Sequence, residues 1–118
     1  MSNRYYWILD DQGNPVEVRD LEVWAKWFEK TDRHLGSDKI GGIHVSTVFL
    51  GLDHGFSLDE KAPPVLWETM IFGGEHDGYQ ERYSSKEEAL AGHTRAVEMV
   101  IGSDGFLSEL KRIVRFED

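Results

Sequence analysis

Hydrophobic residues collect in two runs near the middle of the chain, 43–52 and 65–72. In the first, Ile43, Val45 and Phe49 fall in one alternating set and Val48, Leu50 and Leu52 in the other. Both sets are apolar toward the C-terminal end, the pattern of a strand covered on both faces. The second run, Val65 to Phe72, is again apolar on both faces and closes on Gly73-Gly74. Between them, residues 53–64 form a loop ending in Pro63-Pro64. The two strands are therefore expected side by side and antiparallel.

The flanking segments fill in a small domain. Tyr5 to Leu9 is aromatic and β-prone, Asp10 to Pro15 is turn chemistry, and Val16 to Val18 reads as a short return strand. Asp20 is placed to cap a first helix, in which Leu21, Trp24, Ala25 and Phe28 recur at helical spacing while Val23 and Trp27 widen the face. A helix this aromatic either fills a core or meets a second subunit, and core filling is the expectation. Thr31 to Gly42 reads as a polar connection and Gln80 to Tyr83 as a short edge strand. Ser85, three residues before Glu88, starts a second helix. Ala89, His93, Ala96, Val97 and Val100 are its buried stripe and Gly102 its C-cap. Phe106, Leu110, Ile113 and Val114 return to helical spacing, with strand as the alternative toward Phe116. The sum is α+β: one antiparallel-rich layer of about four or five strands, with two or three helices on one face.

Length and composition leave this picture intact. The 118 residues make a single domain, 1–118, and 40% hydrophobic content suffices for a packed core. Neither a membrane-length apolar run nor a basic-then-apolar leader stands in the sequence, so a cytoplasmic protein with no membrane partner is expected. Cysteine is absent, which removes disulfides, thiolate nucleophiles and Cys-ligated zinc. Asp and Glu number 22 against 13 Lys and Arg, a formal charge of −9. Such a surface repels phosphate backbones, so direct nucleic-acid binding is not expected, although a local basic pocket for a small anion remains open.

The candidate chemistry is thin. Glu68 sits among Leu66, Met70 and Phe72, where a carboxylate must be paired, protonated or placed at a pocket mouth. It is either a general acid or base with a raised pKa, or a structural partner for Arg82 or Arg95. His93, in the apolar stripe of the second helix, is either a core histidine with a Thr, Ser or backbone partner or the facing member of a Glu68–His93 site. Asp53-His54 and Glu75-His76-Asp77 resemble metal-ligand fragments. In an antiparallel pair, however, they leave opposite ends of strands about eight residues long, roughly 25 Å apart. Asp53 and His54 remain weak metal candidates, and no cofactor is expected. Phosphate loops, dinucleotide fingerprints, zincin motifs and nucleophile elbows do not occur.

Several separated blocks agree in order with a known pattern: Val45 to His54, Trp67 to Gly74, Tyr83, Glu87-Glu88-Ala89 and Gly92-His93, after a Tyr-rich strand and a Trp-containing helix. The chain thereby resembles a family of small tailed-phage and prophage proteins that has no assigned activity. The resemblance runs to about Met99 and implies an accessory protein of the host cytoplasm, binding a host component or a host signal and blunting a host defence.

The leading expectation is thus a non-enzymatic binding protein, expected as a homo-oligomer. A protein target would be met by aromatic anchors such as Trp24, Trp27 or Trp67. A small nucleotide-like signal would instead need Arg82, Arg95, Lys86 or Arg33 to converge on a pocket walled by Tyr79, Tyr83 or Trp67. The alternatives are a small hydrolase, metal-dependent or not, built on Glu68 and His93 with His54 as a further candidate, and, ranked last, a structural component of a virion.

Overall fold

The computed structural model describes residues 5–55 and 61–102. Along them run β1 (Trp7–Leu9), β2 (Pro15–Glu17), α1 (Leu21–Lys30), β3 (His34–Ile40), β4 (Ile43–Phe49), β5 (Trp67–Phe72), β6 (Gln80–Tyr83) and α2 (Lys86–Ile101). The fold is α+β. Its strands divide into two sheets, a two-stranded hairpin β1-β2 and a four-stranded antiparallel sheet in the order β3-β4-β5-β6. The expected single layer is corrected in that respect. The third helix or strand expected at Phe106 to Phe116 lies outside the described residues.

The central pair is the one the two apolar runs predict. β4 and β5 are antiparallel, with Thr47 opposite Thr69 and Val45 opposite Ile71. Val45, Phe49, Leu66 and Ile71 are almost wholly buried. α2 lies across one face of this sheet and puts Ala96 and Val100 against Ile43, Val45 and Ile71. Nearer the helix N-terminus, Ala89 meets Phe49, Trp67 and Tyr83. The Ser85 hydroxyl accepts from the Glu88 amide at the start of α2, and Gly102 follows its last turn.

Residues 31–42, expected as a connection, instead contain β3. This strand is an edge with mostly exposed polar side chains, so it carries no apolar alternation to betray it. It turns into β4 through Gly41-Gly42, where Gly41 holds φ +61° and Ile40 pairs with Ile43. The register shifts between His34 and Gly36, a bulge that leaves both His34 and Leu35 near the end of the sheet.

α1 departs further from expectation. It is capped by Asp20, whose carboxylate accepts from the Glu22 and Val23 amides. Yet no α1 residue is fully buried, and Leu21 is 54% exposed. The helix lies at the end of the sheet and not over it. Trp27 meets Phe49 edge-on with ring centroids 5.8 Å apart, while Trp24 stacks on Phe28 and donates from Nε1 to the Gly51 carbonyl at 3.0 Å. That carbonyl also accepts the Trp7 amide at 2.9 Å, so hairpin and helix hang from the same peptide beyond β4. Among the described residues no helix is long and apolar enough to cross a membrane.

Candidate functional site

The most conspicuous polar construction is a line of side chains sealed between sheet and helix. Thr47 on β4 and Thr69 on β5 face α2 from the middle of the sheet, each 0% exposed, with their hydroxyl oxygens 2.5 Å apart. His93 reaches down from α2 and brings Nδ1 to 2.7 Å from Thr47 Oγ1. Its Nε2 lies 2.6 Å from Asp38 Oδ2 on the edge strand β3. Gly36 lets the ring lie this close, since a Cβ there would stand 2.9 Å from His93 atoms. The half-exposed Asp38 carboxylate sets every donor in turn. In the neutral imidazole, an Nε2 proton given to Asp38 leaves Nδ1 to accept from Thr47, which then accepts from Thr69.

Tyr83 closes the same region. Burial pushes its phenol up, and the nearby Thr69 hydroxyl opposes that shift. The phenol oxygen is buried, and Thr69 stands close enough to oppose the shift without forming a well-aligned hydrogen bond. It occupies a notch left by Gly92, where a Cβ would fall 2.0 Å away.

Asp38, His93 and Thr47 have the residue types of a nucleophile triad, but a hydroxyl with no exposed surface meets no substrate. The arrangement does what a buried polar network does: it satisfies its members and pins β3, β4, β5 and α2 to one another.

Glu68 does not join it. Neighbouring side chains on a strand point to opposite faces, so Glu68 lies on the face away from α2, and the expected Glu68–His93 pairing is corrected. There Glu68 accepts from Arg82 Nε at 2.9 Å and from the Gln80 side-chain Nε2, both on β6. Arg95 is held in turn by Glu81 at 2.6 Å, and this contact raises the guanidinium pKa. Tyr79 donates to the same Glu81 carboxylate. That bond, with burial, pushes the Tyr79 phenol up to about 12; the same bond and the Arg95 contact, against burial, hold the Glu81 carboxyl below its usual range.

Trp67 and Tyr83 are core residues, 2% and 5% exposed, so neither presents an open ring face to a protein partner in this fold. Trp24 and Trp27 are only half-buried, but their contacts described above fasten α1 to the sheet end. Asp53 and His54 shape their own loop. Asp53 Oδ1 accepts from the Gly55 and Val65 amides at 2.8 and 2.9 Å, and the His54 ring lies 2.8 Å from the Leu52 carbonyl. Among the described residues no three His, Asp or Glu side chains are grouped to hold a metal ion.

What does converge is part of the cation-and-aromatic set. Arg33, Lys86 and Trp67 line one small recess of about 70 Å³ where the hairpin, the start of β3 and the first turn of α2 meet. Its floor is apolar, from Leu9, Leu35, Phe49 and Trp67. Arg33, His34, Asp32 and Lys86 stand around the apolar part, with Gly13 of the hairpin turn beside them. Arg33 is fixed: Nη1 donates to the Phe49 carbonyl at 2.8 Å and the guanidinium carbon lies 3.9 Å over the Phe28 ring. Burial pulls its pKa down and the neighbouring Asp32 opposes that. Asp32 is itself engaged by the His34 amide at 3.1 Å and ring nitrogen at 2.8 Å, which holds its carboxyl below the usual range. The remaining cations, Arg82 and Arg95, lie elsewhere, each on its own carboxylate.

Pattern reading reached His93, Arg33, Lys86 and Trp67 but passed over Asp38, Thr47, Thr69 and His34. For the threonines a signal existed: two hydroxyls opposite each other in strands otherwise apolar on both faces. No family model, curated protein or solved structure matches the chain.

Proposed function

We propose that this chain acts by binding a small molecule and not by turnover, and that the recess between hairpin, β3 and α2 is where it binds. The observation that carries this reading is an apolar floor beneath Arg33 and Lys86 in a chain of net charge −9. Small-ligand sites combine apolar walls with a few placed polar groups in this way. The Asp38–His93–Thr47 line supports it from the other side, because its hydroxyls are sealed. The resemblance to phage-encoded proteins adds a context, an accessory factor that takes up a host signal in the host cytoplasm.

Native mass spectrometry after incubation with bacterial cytosol tests the reading. The wild-type chain should carry a small-molecule adduct that Lys86→Glu loses while remaining folded by circular dichroism. Bare mass for the wild type, or an identical adduct on both proteins, would overturn it.

A further inference from the structure

We infer that the recess selects a small anion with one apolar body, a single ring bearing a carboxylate or phosphate group, and that the Lys86 ammonium is the partner of the charge. This deepens the proposed function and rests on its placement of the binding site.

Size gives the first limit. At about 70 Å³ the recess is far smaller than the roughly 300–1,000 Å³ typical of small-ligand pockets, so it takes no more than one ring and its substituent. The floor gives the second. Phe49 and Trp67 are 1% and 2% exposed, so neither presents an open ring face on which a nucleobase could stack. The half-buried Leu9 and Leu35 beside them supply most of the apolar contact, which suits a compact hydrophobic body.

The rim gives the third. Arg33 spends a donor on the Phe49 carbonyl and its face on Phe28. It is a fixed positive charge beside the recess, not a group free to wrap a ligand. The Asp32 carboxylate is engaged by His34 and leaves the ammonium alone. Among the described residues no salt bridge ties Lys86. Its Nζ stands 3.3 Å from the place a Gly13 Cβ would take. Gly13 holds φ +80° in the hairpin turn, so a glycine there spares both a strained backbone and a crowded ammonium. One available ammonium beside one fixed guanidinium matches one anionic group.

Titration of the ¹⁵N-labelled chain by NMR, with four probes, decides the matter. Benzoate or phenyl phosphate should shift the Gly13, Leu35 and Lys86 amides saturably, and whichever binds tighter identifies the anion. Benzyl alcohol and inorganic phosphate, each lacking one half of the ligand, should bind at least about tenfold more weakly. Lys86→Gln should bring benzoate down to the level of benzyl alcohol, and Lys86→Arg should restore most of the difference. Equal binding of benzyl alcohol and benzoate overturns the inference, as does benzoate binding that Lys86→Gln leaves unchanged. Silence with all four probes, while the cytosolic adduct persists on the wild type, also overturns it and leaves the recess as the site. Silence together with loss of that adduct fells both.

Discussion

Thr47 has one hydroxyl proton and, on the donor order imposed by Asp38, gives it to His93. Thr69 gives its own to Thr47. The two threonines are therefore unequal although both are equally buried. Thr47→Val strands the His93 Nδ1 acceptor and should cost about 1–3 kcal/mol. Thr69→Val removes the bond that Thr47 accepts but leaves Thr47 paired with His93, and should cost less. Urea denaturation of both variants measures the difference, and the reverse ranking would show that the protons run the other way. The Tyr83 phenol gives a contrary case. A buried hydroxyl without a partner contributes nothing to offset its desolvation, so Tyr83→Phe should leave the urea midpoint unchanged or raise it. A loss above about 1 kcal/mol would mean that the hydroxyl is bonded after all. That Thr47 and Thr69 belong together could be inferred from paired strands of known register. That His93 meets Asp38 could not, because Asp38 lies on the strand that has no pattern.

At the scale of elements, legibility followed burial. β4, β5 and α2 bury residues on a regular period and were read with their partners or caps. β3 is an exposed edge, held by main-chain bonds to β4 and by Asp38, and side-chain hydropathy carries no trace of either. α1 was legible as a helix but not in its placement: its aromatic face suits a core, and only the tertiary structure sets it at the sheet end. With no fully buried side chain, α1 should depend on its cap more than α2 does. Asp20→Ala removes the acceptor for two amides and should cost about 1 kcal/mol. Amide hydrogen exchange should show the loss concentrated in residues 21–30. Uniform acceleration over the whole sheet would contradict that locality.

Across the whole molecule, Tyr79, Glu81 and Arg95 tie the β6 edge to α2, and their titration gives stability a defined pH dependence. The folded Tyr79 phenol is raised from 10.0 to about 12, so its contribution is complete below pH 10 and is lost as pH rises through about 12. Glu81 is depressed, with the opposite sign: its contribution is present above the ordinary carboxyl value of 4.5 and fades as pH falls below it. Tyr79→Phe should flatten the alkaline limb of a plot of urea midpoint against pH. An unchanged alkaline fall would assign it to another group. The recess belongs to this scale too. Its walls come from segments far apart in sequence, so no local motif announces it, and only folding separates Arg33, Lys86 and Trp67 from the wider set of cations and rings named with them.

Gly51 holds φ +75° with the Phe28 ring so near that a Cβ would stand 3.2 Å from it. Its oxygen anchors both the β1 strand and the Trp24 indole. Residues 5–30 are thus moored to the rest of the chain in part at one mirror-image peptide, beside the packing of Trp7, Leu9 and Trp27 on the core and the Asp53 amide on the Tyr5 carbonyl at 3.0 Å. An L-alanine at this berth should cast off hairpin and helix as a unit, opening them to protease while the β3–β6 platform under α2 stays whole.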